Sequence, residues 1–409
     1  MQDKKQKLNW LLIALVLLGT ASCKKEFKDE IPTKFSEDNI ESSSARTDGN
    51  IPYRQSQVVL GEPKQNPYTV ANMQQAFATI ARQGFSSEIN TTISTTHFYV
   101  KFKPQNIDQY ELLKRDSTIS TQDFPIESTI IQNGNKYHDP SLPNDVPTYQ
   151  YTAVPKDYKF AKGIPYEILD NLYIPEEDAS VNTESNSIYF NKLLDQAYIQ
   201  TGNFEDTIKN NNYTEARYRP GGRLQTFDTR LNRLIGAEGV RMEARRWFVV
   251  YSAYTNENGD YRMAWRFNRP CNYSAWFANP FFAVREHLFG LTSWINGPKQ
   301  EGDWNHNIMD GYDRFVSHVY RGAIRYNFKN VGGLQRPWIL PVTGRRQIYI
   351  AVDGTGNQQG INWMVLPIIK IWRFIEDDVE FQSDEIFSTT CHETAHTSHV
   401  LRMNAGLIQ

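Results

Sequence analysis

Near its C-terminus the chain reads His392-Glu393-Thr394-Ala395-His396, and this spacing dictates local structure more tightly than any other stretch. Two imidazoles four residues apart can reach one metal ion when they sit one turn apart on one helix face, so the segment is expected to be helical. Glu393, beside the first imidazole, then stands where it can polarise a metal-bound water. Residues so arranged form the core of a zinc-dependent hydrolase, with His392 and His396 as ligands and Glu393 as general base. Ser383-Asp384 caps this helix, Ile386, Phe387 and Thr390 lead into the motif, and Asn404 and Gly406 end it.

A catalytic zinc takes three protein ligands and keeps a fourth position open. The extended metzincin pattern requires Gly at 399 and His at 402, whereas the chain has His399 and Arg402. A gluzincin requires a Glu on a later helix, and 400–409 contains none. His399 continues the row of His392 and His396, but seven residues of helix separate its ends by about 10 Å, too far for three Zn–N bonds from one straight helix. It is read as a group on the substrate side or one that supports a ligand. His287, His306, His318 and Asp384 are further donors upstream. The third ligand is therefore absent or unidentified, and the simpler account is a sequence truncated before its C-terminal subdomain.

The other end reads as an address. Lys4, Lys5 and Lys7 precede an apolar run, Trp10 to Leu18, too short to span a bilayer but suited to a signal-peptide core. Leu18-Gly19-Thr20-Ala21-Ser22-Cys23 resembles a bacterial lipobox, which implies lipidation (palmitate) of Cys23 after removal of residues 1–22. The charged stretch from Lys24 to Glu30 is similar to the tether of Bacteroidetes surface lipoproteins. The expected location is the outer membrane, lipid-anchored and surface-exposed. Only Cys271 and Cys391 remain of three cysteines, which is no disulfide framework. A net charge of -2 carries no basic excess, so nucleic acid is not an expected partner.

Between these ends the expected fold class is α+β and multidomain. Residues 23–57 form a polar, disordered tether. Residues 58–210 form an N-terminal α/β module of unassigned role. In it, Thr69 caps a helix with Val70, Met73, Phe77 and Ile80 on one stripe, closed by Gly84. Thr96 to Phe102 reads as a strand, and Phe190, Leu193, Leu194 and Ala197 mark a second helix closed by Gly202. His97 and His138 read as structural. Residues 211–284 read as a β element. There Val240, Met242 and Ala244 alternate with charged residues in a half-buried pattern, and Gly259 suits a turn with positive φ. Gly239-Val240-Arg241-Met242-Glu243-Ala244 and the turn Thr255–Tyr261 resemble the carboxypeptidase regulatory-like β-sandwich, except that Asn256 replaces the usual Asp. Residues 285–409 supply a long helix capped by Asn307, strands over 346–353 and 368–374, and the motif helix.

That order resembles the N-terminal half of a zincin-type metallopeptidase. The resemblance implies a Zn2+ cofactor, a peptide or protein substrate, and Ile369 to Phe374 either as the edge strand that pairs with substrate or as an internal strand. The alternative is a non-enzymatic surface lipoprotein that binds a protein or glycan partner, its motif helix merely core.

Overall fold

The computed structural model describes residues 57–84, 92–116, 118–132, 134, 137–175, 184–208, 218–285, 292–334, 336, 348–355, 360–363, 368–376 and 379–406. Cys23, the signal peptide, nearly all of the tether and His287 lie outside them. The chain is α+β, with mixed helices and several sheets. Among the described residues no helix is long and apolar enough to cross a membrane.

The N-terminal region runs β1 (Val59–Pro63), α1 (Val70–Arg82), β2 (His97–Phe102), α2 (Ile107–Arg115), β3 (Ser128–Gln132), β4 (Gln150–Pro155), β5 (Tyr166–Leu172) and α3 (Glu184–Gln200). Thr69 caps α1 as expected, its hydroxyl accepting from Asn72 N at 3.1 Å. Gly84 and Gly202 follow α1 and α3 with φ of +82° and +73°, the left-handed conformation that closes a helix without a Cβ penalty. β2 is the centre of the antiparallel sheet β4-β2-β5, while β1 and β3 form a separate two-stranded ribbon. His97 is buried in β2, and His138 Nε2 meets Val146 O at 2.9 Å, so both serve structure.

The middle region contains β6 (Gly221–Asp228), β7 (Arg233–Gly236), β8 (Arg241–Arg246), β9 (Val249–Tyr254), β10 (Asp260–Arg262), β11 (Cys271–Trp276), β12 (Phe282–Arg285), β13 (Trp294–Gln300) and β14 (His306–Ile308). One sheet runs β10-β6-β14 with β7 also on β6; the other is antiparallel, β13-β11-β8-β9. Gly259 has φ +82°, the turn conformation expected of it.

The half-buried pattern expected for 240–244 is not what forms. Glu243, Arg245 and Arg246 are buried along with Met242 and Ala244. The cause is tertiary: the N-terminal region covers this face, and Ser120 bonds both Glu243 Oε1 (3.3 Å) and Arg245 Nη2 (3.0 Å).

The last region contains α4 (Gly311–Phe328), β15 (Ile348–Thr355), β16 (Gly360–Trp363), β17 (Ile368–Glu376), β18 (Val379–Glu380) and α5 (Ser383–Gly406). α4 starts after Asp310 rather than at Asn307, which pairs in β14 instead. The apolar face expected to hold Met309, Tyr312, Val316, Val319, Ala323 and Ile324 forms in part: the last four are buried, Tyr312 is half-buried, and Met309 precedes the helix and is exposed. The sheet order is β12-β15-β17-β16, the first three parallel and β16 antiparallel at the edge. Of the two placements open for Ile369 to Phe374, the internal one holds, because β15 and β16 flank β17 on both sides. β12 straddles the 284/285 boundary and pairs with β15, and one apolar core joins Tyr68, Leu193, Met242, Ile324, Ile371 and Ile386 across all three regions.

Candidate metal centre

α5 sits on the last sheet and α4, touching β16 and β17 on one side and α4 on the other. Its first turn is closed by Glu385, whose carboxylate accepts from Gln382 N at 2.8 Å, a capping contact reaching back three residues. Ser383, the expected cap, is instead buried against Thr229, its hydroxyl accepting from Thr229 N at 2.9 Å. Thr390, Thr394 and Thr397 are buried on the packed face of α5, each satisfied by the carbonyl four residues earlier (2.8, 2.7 and 3.2 Å). Threonine is tolerated there because its hydroxyl needs no partner from outside the helix.

Helical spacing then rotates the motif histidines away from that face. His392 is exposed and His396 half-buried, and their Nε2 atoms stand 3.0 Å apart with the rings nearly perpendicular at 86°. Two Zn–N bonds of about 2.0–2.1 Å can bridge up to about 4 Å, so both imidazoles reach one ion at this separation. Burial pushes His396 below the ordinary imidazole value, and the neighbouring His392 and His399 push it the same way. The ring is thereby held in the neutral form that a metal needs. Glu393 is buried, and desolvation pushes its carboxyl up to about 7.

The remaining donors do not join this pair. His318 is buried in α4, its Nε2–H donating to Phe227 O at 2.9 Å while Nδ1 accepts from Arg321 Nη1 at 3.1 Å. His306 stacks on Trp304 with ring centroids 5.4 Å apart. Asp384 lies in the first turn of α5, facing Arg230. His399 is exposed on α5 one turn beyond His396. Among the described residues no group of three His, Cys, Asp or Glu side chains could hold a metal. The described residues therefore bring two imidazoles together and no third donor.

Neither cysteine adds to it. Both thiols are free, and burial pushes each up to about 11. Cys391 donates to Gly322 O at 3.2 Å, a packing contact between α5 and α4.

No protein-family model, no curated protein and no solved structure matches the chain. Function must then be argued from side-chain chemistry alone. Sequence reasoning found the motif but missed a second polar cluster, around Arg245 and Trp247, whose members come from positions too far apart to form a local pattern.

Proposed function

We propose that the chain is a zinc metallopeptidase-like, lipid-anchored protein of the bacterial outer membrane that hydrolyses extracellular peptides or proteins. One observation carries the reading: His392 and His396 converge at 3.0 Å on the accessible side of a helix whose intervening Glu393 is buried, its carboxyl pushed up to about 7.

Zinc, when bound there, supplies Lewis acidity toward water and the scissile carbonyl. His392 and His396 are the residues that would hold it. Glu393, a carboxyl next to His392, would accept a proton from the attacking water and return it to the leaving amine. The order α4, β15, β17, α5 supports the zincin reading of 285–409, and the Gly259 turn supports the regulatory-like β-sandwich reading of 211–284. β16 supports the substrate class, because an antiparallel edge strand beside α5 is where an extended peptide could add by backbone pairing.

A second reading has one observation in its favour, the lack of a third ligand among the described residues. In that reading the lipoprotein binds a protein or glycan partner and hydrolyses nothing. Zinc content of the refolded full chain, measured by mass spectrometry before and after His392→Ala, tests the first reading. Stoichiometric zinc lost in the variant supports it; the same zinc content in both proteins overturns it.

A further inference from the structure

A pocket of about 350 Å³ lies between the sheet β13-β11-β8-β9 and the segment from Gln122 to Ile130. One row of that sheet places Arg245, Asn272 and Lys299 side by side on three strands, and all three line the pocket. Arg245 is only 8 % exposed, and burial pushes its guanidinium down to about 10. Its Nη2 donates to Ser120 O (3.1 Å) and Oγ (3.0 Å). With the Gln122 amide oriented oxygen-inward, its Nε donates there at 2.7 Å. Nη1 has no partner among the described residues, and it is not among the polar atoms sealed from solvent, so it opens on the pocket.

Each of these acceptors is neutral; Glu243, two residues along the strand and bonded to the same Ser120 hydroxyl, supplies the nearby negative charge, and Nη1 is the donor left open to a ligand. The other charges around the pocket include Arg246, whose guanidinium lies 5.6 Å from the Phe267 ring. Lys64 pairs with Glu205 and Lys299 with Asp206, while Glu127 accepts from Tyr99 OH at 2.5 Å.

Trp247 lies on the same wall; it is the first of the two residues that join β8 to β9, and its φ of +50° is the left-handed conformation such a tight hairpin turn requires. Its indole Nε1 donates to Asp206 Oδ2 at 3.1 Å, which fixes the ring against the pocket. With Phe124 and Trp294 it gives the pocket an aromatic side opposite its polar one.

We propose that this pocket binds a small organic carboxylate with an apolar or aromatic body. The carboxylate sits on Arg245 Nη1 and the Asn272 amide, and the body lies against Trp247, Trp294 and Phe124. A monoanion fits better than a phosphate dianion, because the carboxylates of Asp206 and Glu127 share the wall and repel a second negative charge. The site stands apart from the zinc reading and holds whether or not α5 binds metal.

The test is titration calorimetry on the full chain with N-acetyl-L-phenylalanine and, separately, its uncharged amide. The acid should bind at least about tenfold more tightly than the amide. Asn272→Trp, which fills the pocket from an exposed position, should remove binding, and Arg245→Gln should make acid and amide equivalent. Equal affinity for both probes in the unaltered protein, no binding of the acid up to about 10 mM, or undiminished binding by Asn272→Trp would each overturn the proposal. The probe comparison needs no variant, so it stands even where Arg245→Gln does not fold.

Discussion

Gly322 of α4 lies directly under Thr390 of α5. A Cβ built on Gly322 would stand 2.8 Å from Thr390 Cβ and 2.7 Å from Phe387 O. The two helices cross where only a hydrogen fits, and the carbonyl of Gly322 itself receives the Cys391 thiol. In an exposed helix, Gly→Ala gains about 1 kcal/mol of propensity. Here the overpacking term of about 1–3 kcal/mol opposes and exceeds it, since one obstacle is backbone. Gly322→Ala should therefore lower stability by about 1–2 kcal/mol in urea unfolding. A variant as stable as the parent would show that the crossing is looser than described.

Arg269 and Asp195 join the middle sheet to α3. Arg269 Nη2 donates to Asp195 Oδ1 at 2.6 Å and to Asn191 O at 2.9 Å, both side chains being fully buried. Removing one partner leaves a buried charge, an effect of about 3–5 kcal/mol, whereas replacing both with apolar groups is far milder. Arg269→Met alone should be strongly destabilising, and the double variant Arg269→Met/Asp195→Leu should recover most of the loss. The double-mutant cycle, read from denaturant midpoints, checks this; additive losses would contradict it.

The contrast between these residues shows what could be read from the chain. Thr69, Gly84 and Gly202 punctuate helices by local chemistry, so their places were legible. The spacing of His392 and His396 fixes a helix face in the same way. Arg245 and Glu243 alternate with Met242 and Ala244 as solvent-facing residues would, and nothing nearby says that Ser120 will cover them. β16 is only four residues, Gly360-Ile361-Asn362-Trp363, too short for a periodic signal, yet it sets which strand forms the edge. The pocket at Arg245 draws on residues from Lys64 to Lys299, a juxtaposition only tertiary structure creates.

His318 makes stability depend on pH. Burial is the main cause that pushes its imidazole down to about 4, with Arg321 and Arg314 acting the same way against Asp228 and the Phe227 carbonyl. The unfolded chain, with an ordinary histidine near 6.5, binds a proton first as pH falls. Stability from this group is complete above about 6.5 and is lost as pH falls toward about 4. Between pH 7.5 and 5 the loss should be about 2 kcal/mol. Urea midpoints for the parent and His318→Gln should converge over that interval, and a constant gap would refute the assignment.

If the proposed zinc reading holds, a change at Glu393 separates metal holding from proton transfer. Its carboxyl is raised by burial alone, and an amide at the same position keeps the shape while losing the ability to take a proton. Glu393→Gln should leave the zinc content of the chain unchanged and reduce peptide hydrolysis by about 10²–10⁴-fold, the range associated with a positioned general base. His392→Ala, in contrast, should lose zinc and hydrolysis together. Glu393→Gln that hydrolyses a peptide as fast as the parent would remove the general-base role. Hydrolysis absent from both proteins, with zinc bound, would instead favour the non-enzymatic lipoprotein.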